Sequence, residues 1–298
     1  MQVYSCYNMT TEVIIRGAFF FGIFALVAAW ELLTPRRTLT TSKRLRWFAN
    51  LSITVLNPAV MRAMSPLLPV GMAELAAQRG WGLMNNLSAP YWLKVFAGVV
   101  VLDLVIYLQH VMFHTLPLLW RTHMMHHADL DFDVTTGLRF HPLEILISLG
   151  IKISSVALLG ASITAVLIFE VLLNATSMFN HGNVRLPGRL DRILRLFVVT
   201  PEMHRVHHSV TIRETNSNFG FNLPWWDYLF GTYRDQPAAG HEGMTIGLSQ
   251  FRDPTRAGLG WMLLLPFVGN PGGYAINKRG SDPATVRQSD RRGKKSDS

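Results

Sequence analysis

Cysteine and charged residues are the two scarce classes in this 298-residue chain. The single cysteine, Cys6, excludes a disulfide framework and a thiolate metal cluster. Charged residues make up 16% of the chain, against about a quarter in a typical soluble domain. Hydrophobic residues reach 49% and are concentrated in long runs. The composition therefore predicts an integral membrane protein.

Three sequence signatures are also missing. No basic helix with interleaved aromatic residues is present, so the net charge of +9 suits an anionic membrane face better than a nucleic acid. Without an H-E-x-x-H motif, a zinc protease would lack its general base. No G-x-G-x-x-G follows a predicted strand, which excludes a built-in nicotinamide or flavin domain of that type.

Four apolar stretches are long enough for the membrane, where a spanning helix needs about 20 residues. Residues 13–33 and 91–113 are predicted to be the first and third spans. Residues 51–77 contain three prolines and are predicted to form a broken or tilted second span. Residues 145–179 are too long for one crossing and have Gly160 near the middle, which indicates a tight helical hairpin.

The distribution of basic residues predicts the orientation of these spans. Residues 34–46 contain five Lys or Arg, whereas residues 78–90 contain only Arg79. By the positive-inside rule the first loop is cytoplasmic, the N-terminus lies outside, and the third span and the hairpin both end on the cytoplasmic side. The predicted fold is all-α, an integral membrane helical bundle with a cytoplasmic histidine-rich helical cap.

The chain divides into three predicted regions. Residues 1–90 hold N-terminal spans and loops, and residues 91–256 combine spans with the cytoplasmic histidine motifs. Residues 257–298 form an interfacial segment and a disordered basic tail. The ending Lys294 to Ser298 does not match a di-lysine retrieval spacing, which favours a bacterial inner membrane over the endoplasmic reticulum.

The histidines are distributed unusually, because eight of the eleven lie in one H-x-x-x-H motif and two H-x-x-H-H motifs. Residues three and four apart share a helix face, so each motif directs its imidazoles toward one point. The eight are His110, His114, His123, His126, His127, His204, His207 and His208. Imidazole binds zinc, copper, iron or nickel. Since one ion rarely takes more than six ligands, eight clustered histidines predict two ions.

Two other classes of protein also use clustered histidines. A metal transporter would place them near the middle of its spans, whereas these motifs lie at the ends of the predicted spans. A zinc hydrolase normally keeps three protein ligands and a water, which would leave most of the eight unexplained.

The three motifs and their spacing around membrane spans resemble those of the fatty acid hydroxylase and sterol desaturase superfamily. The similarity extends to T-G-L-R-F-H-P at residues 136–142, N-H-G-N at 180–183 and W-D-Y-L-F-G-T at 226–232. It covers roughly residues 91–234.

The resemblance implies a non-haem di-iron centre that activates O2 and oxidises a C–H bond of a membrane lipid or sterol-like substrate. Hydroxylation is the first expectation, with desaturation or alkylglycerol ether cleavage as alternatives. Electrons would come from a separate protein: a reductase, a ferredoxin or a b-type cytochrome. By the same resemblance the eight motif histidines are catalytic metal ligands, and His181, after the hairpin, is a ninth.

Several further residues admit two interpretations. His141 is either a ligand or outer donor, or part of a structural turn. Asp131, with its acidic neighbours, either orients imidazole N–H groups or belongs to a hydrated turn. Asp103, a carboxylate inside a span, is either functional or paired with a nearby base, Arg62 or Lys152. His241 lacks a partner motif and is expected to be exposed to solvent.

Overall fold

The computed structural model describes residues 9–65, 67–268 and 270–276. Within these ranges all extended regular elements are helices, and two isolated β-bridges join loops. The α-helices are α1 (Met9–Leu33), α2 (Lys43–Met64), α3 (Pro69–Arg79), α4 (Leu83–Asn86), α5 (Tyr91–Thr115), α6 (Pro117–His127), α7 (Pro142–Leu159), α8 (Ile163–Asn180), α9 (Gly188–Leu194), α10 (Pro201–His207), α11 (Ile212–Thr215), α12 (Trp225–Leu229), α13 (Gly240–Gly243) and α14 (Leu259–Leu264). The all-α prediction is confirmed.

Five helical stretches are long and apolar enough to cross a membrane. They are Thr11–Leu33, Lys43–Asn86, Tyr91–Thr115, Pro142–Leu159 and Ile163–Asn180. These correspond to the predicted first span, broken second span, third span and two-helix hairpin. The chain is therefore a multi-pass membrane protein.

Among the described residues of the predicted second span, 51–77, the helix is interrupted once. Pro58 lies inside α2, which continues to Met64. The interruption falls between Met64 and Pro69, and Pro69 occupies the first turn of α3. A proline is tolerated there because a first-turn N–H has no partner within the helix.

The hairpin turns at Gly160, as predicted. This residue caps α7 in the left-handed conformation with φ of 65°, which glycine adopts at no steric cost. Gly82 packs against it so closely that a Cβ on Gly82 would lie 2.0 Å from the Gly160 nitrogen. Nearby, the Tyr91 hydroxyl donates to Thr164 Oγ1 at 2.8 Å. The hairpin turn and the starts of α4 and α5 thus lie at one end of the bundle.

The opposite end of the bundle carries the histidines and is tied together by Glu31, near the end of α1. Its buried Oε1 accepts the backbone N–H groups of Val134 and Asn183, both at 2.7 Å. These two residues follow the second histidine motif and the hairpin, respectively. One carboxylate of the first span therefore fixes two loops that flank the site.

The segment after residue 257 packs onto the histidine end. Met262 and Leu265 are fully buried against Trp120 and Met124 of α6, while Phe267 remains exposed. The predicted basic tail at the end of region 257–298 lies outside the described residues.

Candidate metal centre

The ends of two long helices, α5 and α8, and two shorter helices, α6 and α10, position the histidines. His110 and His114 end α5, while α6 and α10 each begin with a proline in the first turn. Thr200 starts α10 by accepting the N–H of Met203 at 3.3 Å. His181 and His208 occupy the C-cap positions of α8 and α10.

The structure brings all eight motif histidines and His181 together in two buried groups. Within each group, one ring nitrogen of every member lies within 4.8 Å of the others. The first group contains His110, His114, His123, His127 and His207, and the second contains His126, His181, His204 and His208. Each H-x-x-H-H motif contributes to both groups, because adjacent helical residues such as His126 and His127 point about 100° apart.

Hydrogen bonds fix the tautomer of six of these imidazoles. In each, Nδ1 lies 2.7–3.2 Å from an oxygen that accepts, so Nδ1 carries the proton. The pairs are His110 with Phe219 O, His114 with Asn216 Oδ1, His123 with Glu144 Oε1, His126 with Arg139 O, His181 with Ser177 O, and His207 with Ser217 O. Asn216 presents its oxygen because its amide nitrogen donates to Tyr274 O at 2.7 Å.

The remaining nitrogen of each such ring is then a bare acceptor aimed inward. The Nε2 atoms of His110 and His123 lie 3.1 Å apart, as do those of His126 and His181. Two lone pairs at that distance repel unless a cation lies between them or beside them. Further buried ring nitrogens, including Nε2 of His207, have no hydrogen-bond partner in the described chain. This donor set fits metal ions, which would satisfy these nitrogens.

Burial keeps five of the imidazoles neutral. It lowers the pKa of His181 to about 3, and together with neighbouring imidazoles it lowers the pKa values of His126, His127, His204 and His208 well below 6.5. Neutral imidazole is the form that binds metal. These five histidines are therefore in their ligating state at physiological pH.

Glu144 is the orienting group that sequence reasoning missed. It lies in the first turn of α7, where the helix dipole favours a negative charge, and is buried beside His123. The only sequence signal was an acidic residue just after His141 and Pro142. The hydrogen bond from His123 Nδ1 to Glu144 Oε1 is 2.7 Å long and is strengthened by the negative charge of the carboxylate.

Replacing Glu144 by glutamine should lower metal affinity or activity by about 10- to 100-fold, the usual effect of losing such an outer partner. The amide loses the negative charge that strengthens the bond to His123. Metal content after dialysis against a graded chelator series would measure the change. Glu74→Gln, on a helix that belongs to neither histidine group, serves as the control. Equal metal retention in both variants would show that Glu144 does not tune the site.

His141 lies outside both groups. It is the N-cap of α7, where its Nδ1 accepts the N–H of Leu143 at 3.1 Å. Its Nε2 is 3.2 Å from the Leu263 carbonyl oxygen. Both ring nitrogens are thus engaged in shaping the turn, which corresponds to the structural alternative.

The acidic residues after the second motif are buried, so the expectation of a hydrated turn is wrong. Asp131 accepts the backbone N–H and hydroxyl groups of Thr40 and Thr41 at 2.5–2.9 Å. Asp129 binds Arg46 through two bonds of 2.7 and 2.8 Å, and Asp133 binds it at 2.7 Å. Asp131 attaches the loop between α1 and α2 to the histidine end, and Asp129 and Asp133 attach the first turn of α2.

Asp103 organises the loop that follows the third motif. Its carboxylate accepts the backbone N–H groups of Asn222 and Leu223, each at 3.3 Å, and the Trp226 indole N–H at 2.8 Å. The alternative pairing with a basic residue is wrong for Lys152, which lies 3.5 Å from Glu170. Arg62 is exposed on the surface of α2.

The expectation that His241 is exposed is also wrong. Gly240, with φ of 69°, turns the chain so that His241 packs beside α10. Its Nε2 lies 3.1 Å from Glu202 Oε2, and its Nδ1 lies 3.5 Å from Arg205. Burial and the nearby arginines lower its pKa to about 3. Replacement of His241 would therefore disturb a buried ion-pair cluster.

Aromatic rings enclose the histidines. Phe140 stacks on His126 with ring centroids 4.6 Å apart, and Phe219 lies 5.1 Å from His114. Phe221 contacts one member of each group, His110 at 5.7 Å and His204 at 6.1 Å. This wall excludes water from the ring nitrogens.

A bundle of spanning helices that ends in nine buried imidazoles defines a histidine-rich membrane protein of the metal-binding class. Residues 95–232 match the model of the fatty acid hydroxylase family. The predicted resemblance to that family is therefore confirmed.

Three curated relatives have lipid-oxidising names. The chain is 28% identical over 220 residues to ornithine lipid hydroxylase OlsE of Rhizobium tropici, covering 72% of this chain and 65% of that protein. It is 30% identical to alkylglycerol monooxygenase of Homo sapiens, over 54% of this chain and 34% of that protein. It is 24% identical to Delta(7)-sterol-C5(6)-desaturase of Nicotiana tabacum, over 55% of this chain and 60% of that protein.

The chain thus spans between about a third and about two thirds of the length of these relatives. No solved structure matches it.

Proposed function

We propose that this protein is an O2-dependent oxidoreductase that hydroxylates a C–H bond of a membrane lipid at a di-iron centre. The observation that carries the proposal is the set of six imidazoles whose Nδ1–H groups are fixed on oxygen acceptors. Their Nε2 lone pairs converge into two groups, which is the arrangement that two metal ions require.

Each group would hold one ion. The five-histidine group contains His110, His114, His123, His127 and His207, and the four-histidine group contains His126, His181, His204 and His208. Bound iron would supply the redox chemistry that activates O2. Iron is favoured over zinc because the relatives are named as a hydroxylase, a monooxygenase and a desaturase.

The protein's own residues prepare the site for oxidation of a strong C–H bond. Neutral imidazoles leave the bound ions more positive than carboxylate ligands would. Glu144 and the backbone carbonyl groups hold the rings in place before a substrate arrives, so no reorganisation is needed later. Phe140, Phe219 and Phe221 keep water away, which prevents side reactions of an oxidising centre.

The substrate class follows from the relatives and from the position of the site. The names of the three relatives refer to ornithine lipids, alkylglycerols and sterols. All three are membrane lipids. The site lies at the end of the spans, where a lipid tail arrives from the bilayer and electrons arrive from water. Two of the three relatives carry hydroxylase or monooxygenase names, which favours hydroxylation over desaturation.

Electrons would reach the centre from a separate reductase, ferredoxin or b-type cytochrome. We place the histidine end on the cytoplasmic side, because five basic residues precede or begin α2. We favour a bacterial inner membrane because one of the relatives is the bacterial protein OlsE. A reporter fused after Arg234 should then read cytoplasmic, and one fused after Asn86 should read external. An external signal from the reporter at Arg234 would contradict the proposed orientation of the histidine end.

The direct test uses purified protein loaded with iron and supplied with a chemical reductant. We expect lipid-dependent O2 consumption and a lipid product that contains one additional oxygen atom by mass spectrometry. Loss of two hydrogens from the product would instead indicate desaturation, and release of a fatty aldehyde would indicate ether cleavage. Hydrolysis without O2 consumption would overturn the oxidoreductase proposal.

A further inference from the structure

The loop after the third histidine motif runs back along the spans instead of remaining at the end of the bundle. Asp103, which binds this loop through Asn222, Leu223 and Trp226, precedes His110 by seven residues on α5. At about 1.5 Å per residue, it lies about 10 Å deeper along the span than His110.

A second contact confirms the depth of the loop. Phe230 stacks on Tyr107 of α5 with ring centroids 5.4 Å apart, and the Tyr107 hydroxyl lies 2.9 Å from Thr232 Oγ1. On the α8 side, the Asn180 amide donates to the Phe221 carbonyl oxygen at 3.0 Å. The loop is therefore attached to α5 about one helical turn before His110 and to the last residue of α8.

At this level the loop exposes large apolar side chains instead of polar ones. Together with the adjoining segment at α9, it presents an exposed apolar surface that we call the lip. The lip consists of Leu190, Ile193, Leu196, Phe197, Trp225, Leu229 and Phe230, which are 41–69% exposed. The two segments are joined, since the Trp225 indole donates to the Leu196 carbonyl oxygen at 2.7 Å.

The charges beside the lip indicate what covers it. Arg185, Arg189 and Arg192 are exposed on the same stretch of chain as Leu190 and Ile193. Apolar and aromatic side chains flanked by arginine are typical of segments that lie in the headgroup region of an anionic leaflet. A contiguous apolar surface of this size is rarely left in water.

The same loop also leads to the histidines. Phe219 contacts His114 of the five-histidine group, and Phe221 contacts one imidazole of each group. Trp225 of the lip follows Phe221 by four residues. We propose that the lip is seated in the leaflet at the histidine end of the bundle, and that the lipid substrate enters the site across it. The second half of this proposal rests on the proposed function, whereas the first half does not.

The seating of the lip can be tested through the single native cysteine. In a Cys6→Ser background, Leu229→Cys and Phe197→Cys would each be labelled with an environment-sensitive fluorophore. Phe21→Cys, at the centre of α1 on an exposed face, and Ser249→Cys, exposed at the histidine end, serve as positive and negative controls. The proteins would be reconstituted in vesicles that contain anionic lipid and a lipid-borne quencher.

We expect labels at Leu229 and Phe197 to lose fluorescence most with quenchers placed near the headgroup. The label at Phe21 should respond most to quenchers near the end of the acyl chain, and the label at Ser249 should not respond. If Leu229 and Phe197 behave like Ser249, the lip faces water or a protein partner and the proposal is overturned. This fluorescence measurement requires neither bound metal nor enzymatic activity.

Entry of substrate is tested with Leu229→Asp against Ser249→Asp. On lipid embedded in vesicles, Leu229→Asp should lose activity several-fold, while Ser249→Asp retains it. On short-chain lipid dispersed in detergent, both variants should match the unmodified protein. Equal activity of both variants in vesicles would overturn entry across the lip. Absence of lipid oxidation in the unmodified protein would instead refute the proposed function, and the fluorescence result would still stand.

Discussion

Replacing His207 by alanine should abolish lipid oxidation and leave one tightly held metal ion per chain in place of two. His207 contributes its Nε2 to the five-histidine group, and this nitrogen has no other partner among the described residues. His208→Ala should have the same effect from the four-histidine group. The two variants therefore damage different ions, and elemental analysis combined with an activity assay measures both consequences.

His141→Ala is the matched control for these variants. It removes a buried imidazole close to the site that belongs to neither group. We expect two ions per chain and a stability loss of about 1 kcal/mol, the usual cost of a lost helix N-cap. A membrane-fraction blot checks that all three variants insert. If His207→Ala and His208→Ala insert normally and keep both ions and full activity, the di-iron proposal fails.

The largest loss of stability is expected for Arg46→Met. This buried guanidinium binds Asp129 through two nitrogens and Asp133 through the third. Its removal leaves two carboxylates in the interior without their cation, which costs about 3–5 kcal/mol in such pairs. The apparent melting temperature in detergent should fall accordingly, and the histidine groups should hold metal less tightly because Asp129 follows His127 by two residues.

Two further variants separate charge from geometry at this position. Arg46→Lys retains the positive charge but loses the planar fork that binds Asp129 at two points, so an intermediate melting temperature is expected. Adding Asp129→Asn to Arg46→Met removes one of the two buried carboxylates left without a cation. The double variant should therefore regain part of the lost melting temperature. A melting temperature of Arg46→Met equal to that of the unmodified protein would contradict a stabilising role for these ion pairs.

Local sequence patterns were sufficient where a single helix decides the outcome. The turn of the hairpin at Gly160 followed from the length of the apolar run and from glycine's freedom to adopt positive φ. The placement of two or three imidazoles on one side of a helix followed from their spacing within each motif. The position of the break in the second span was less predictable, because Pro58 lies inside α2 and the neighbouring helices stabilise the chain around it.

Contacts between distant segments were beyond the reach of the sequence. His241 was expected in solvent, yet a turn at Gly240 places it beside Glu202 and Arg205. Asp131 looked like part of a hydrated turn until the loop between α1 and α2 covered it through Thr40 and Thr41. In both cases the partner lies at least 36 positions away in the chain, as for His241 and Arg205.

The sequence by itself determined the membrane helices, the residue types of the candidate metal centre and the family resemblance, because apolar length and imidazole spacing are local properties. Only the tertiary structure decided how the ligands divide. His126 and His127 are neighbours in one motif but belong to different groups, because adjacent helical residues point about 100° apart. The packing of α5, α6, α8 and α10 brings the other histidines of each group beside them. Likewise, Glu144 and the carbonyl groups that fix the tautomers come from other segments, so their role exists only once the helices have packed.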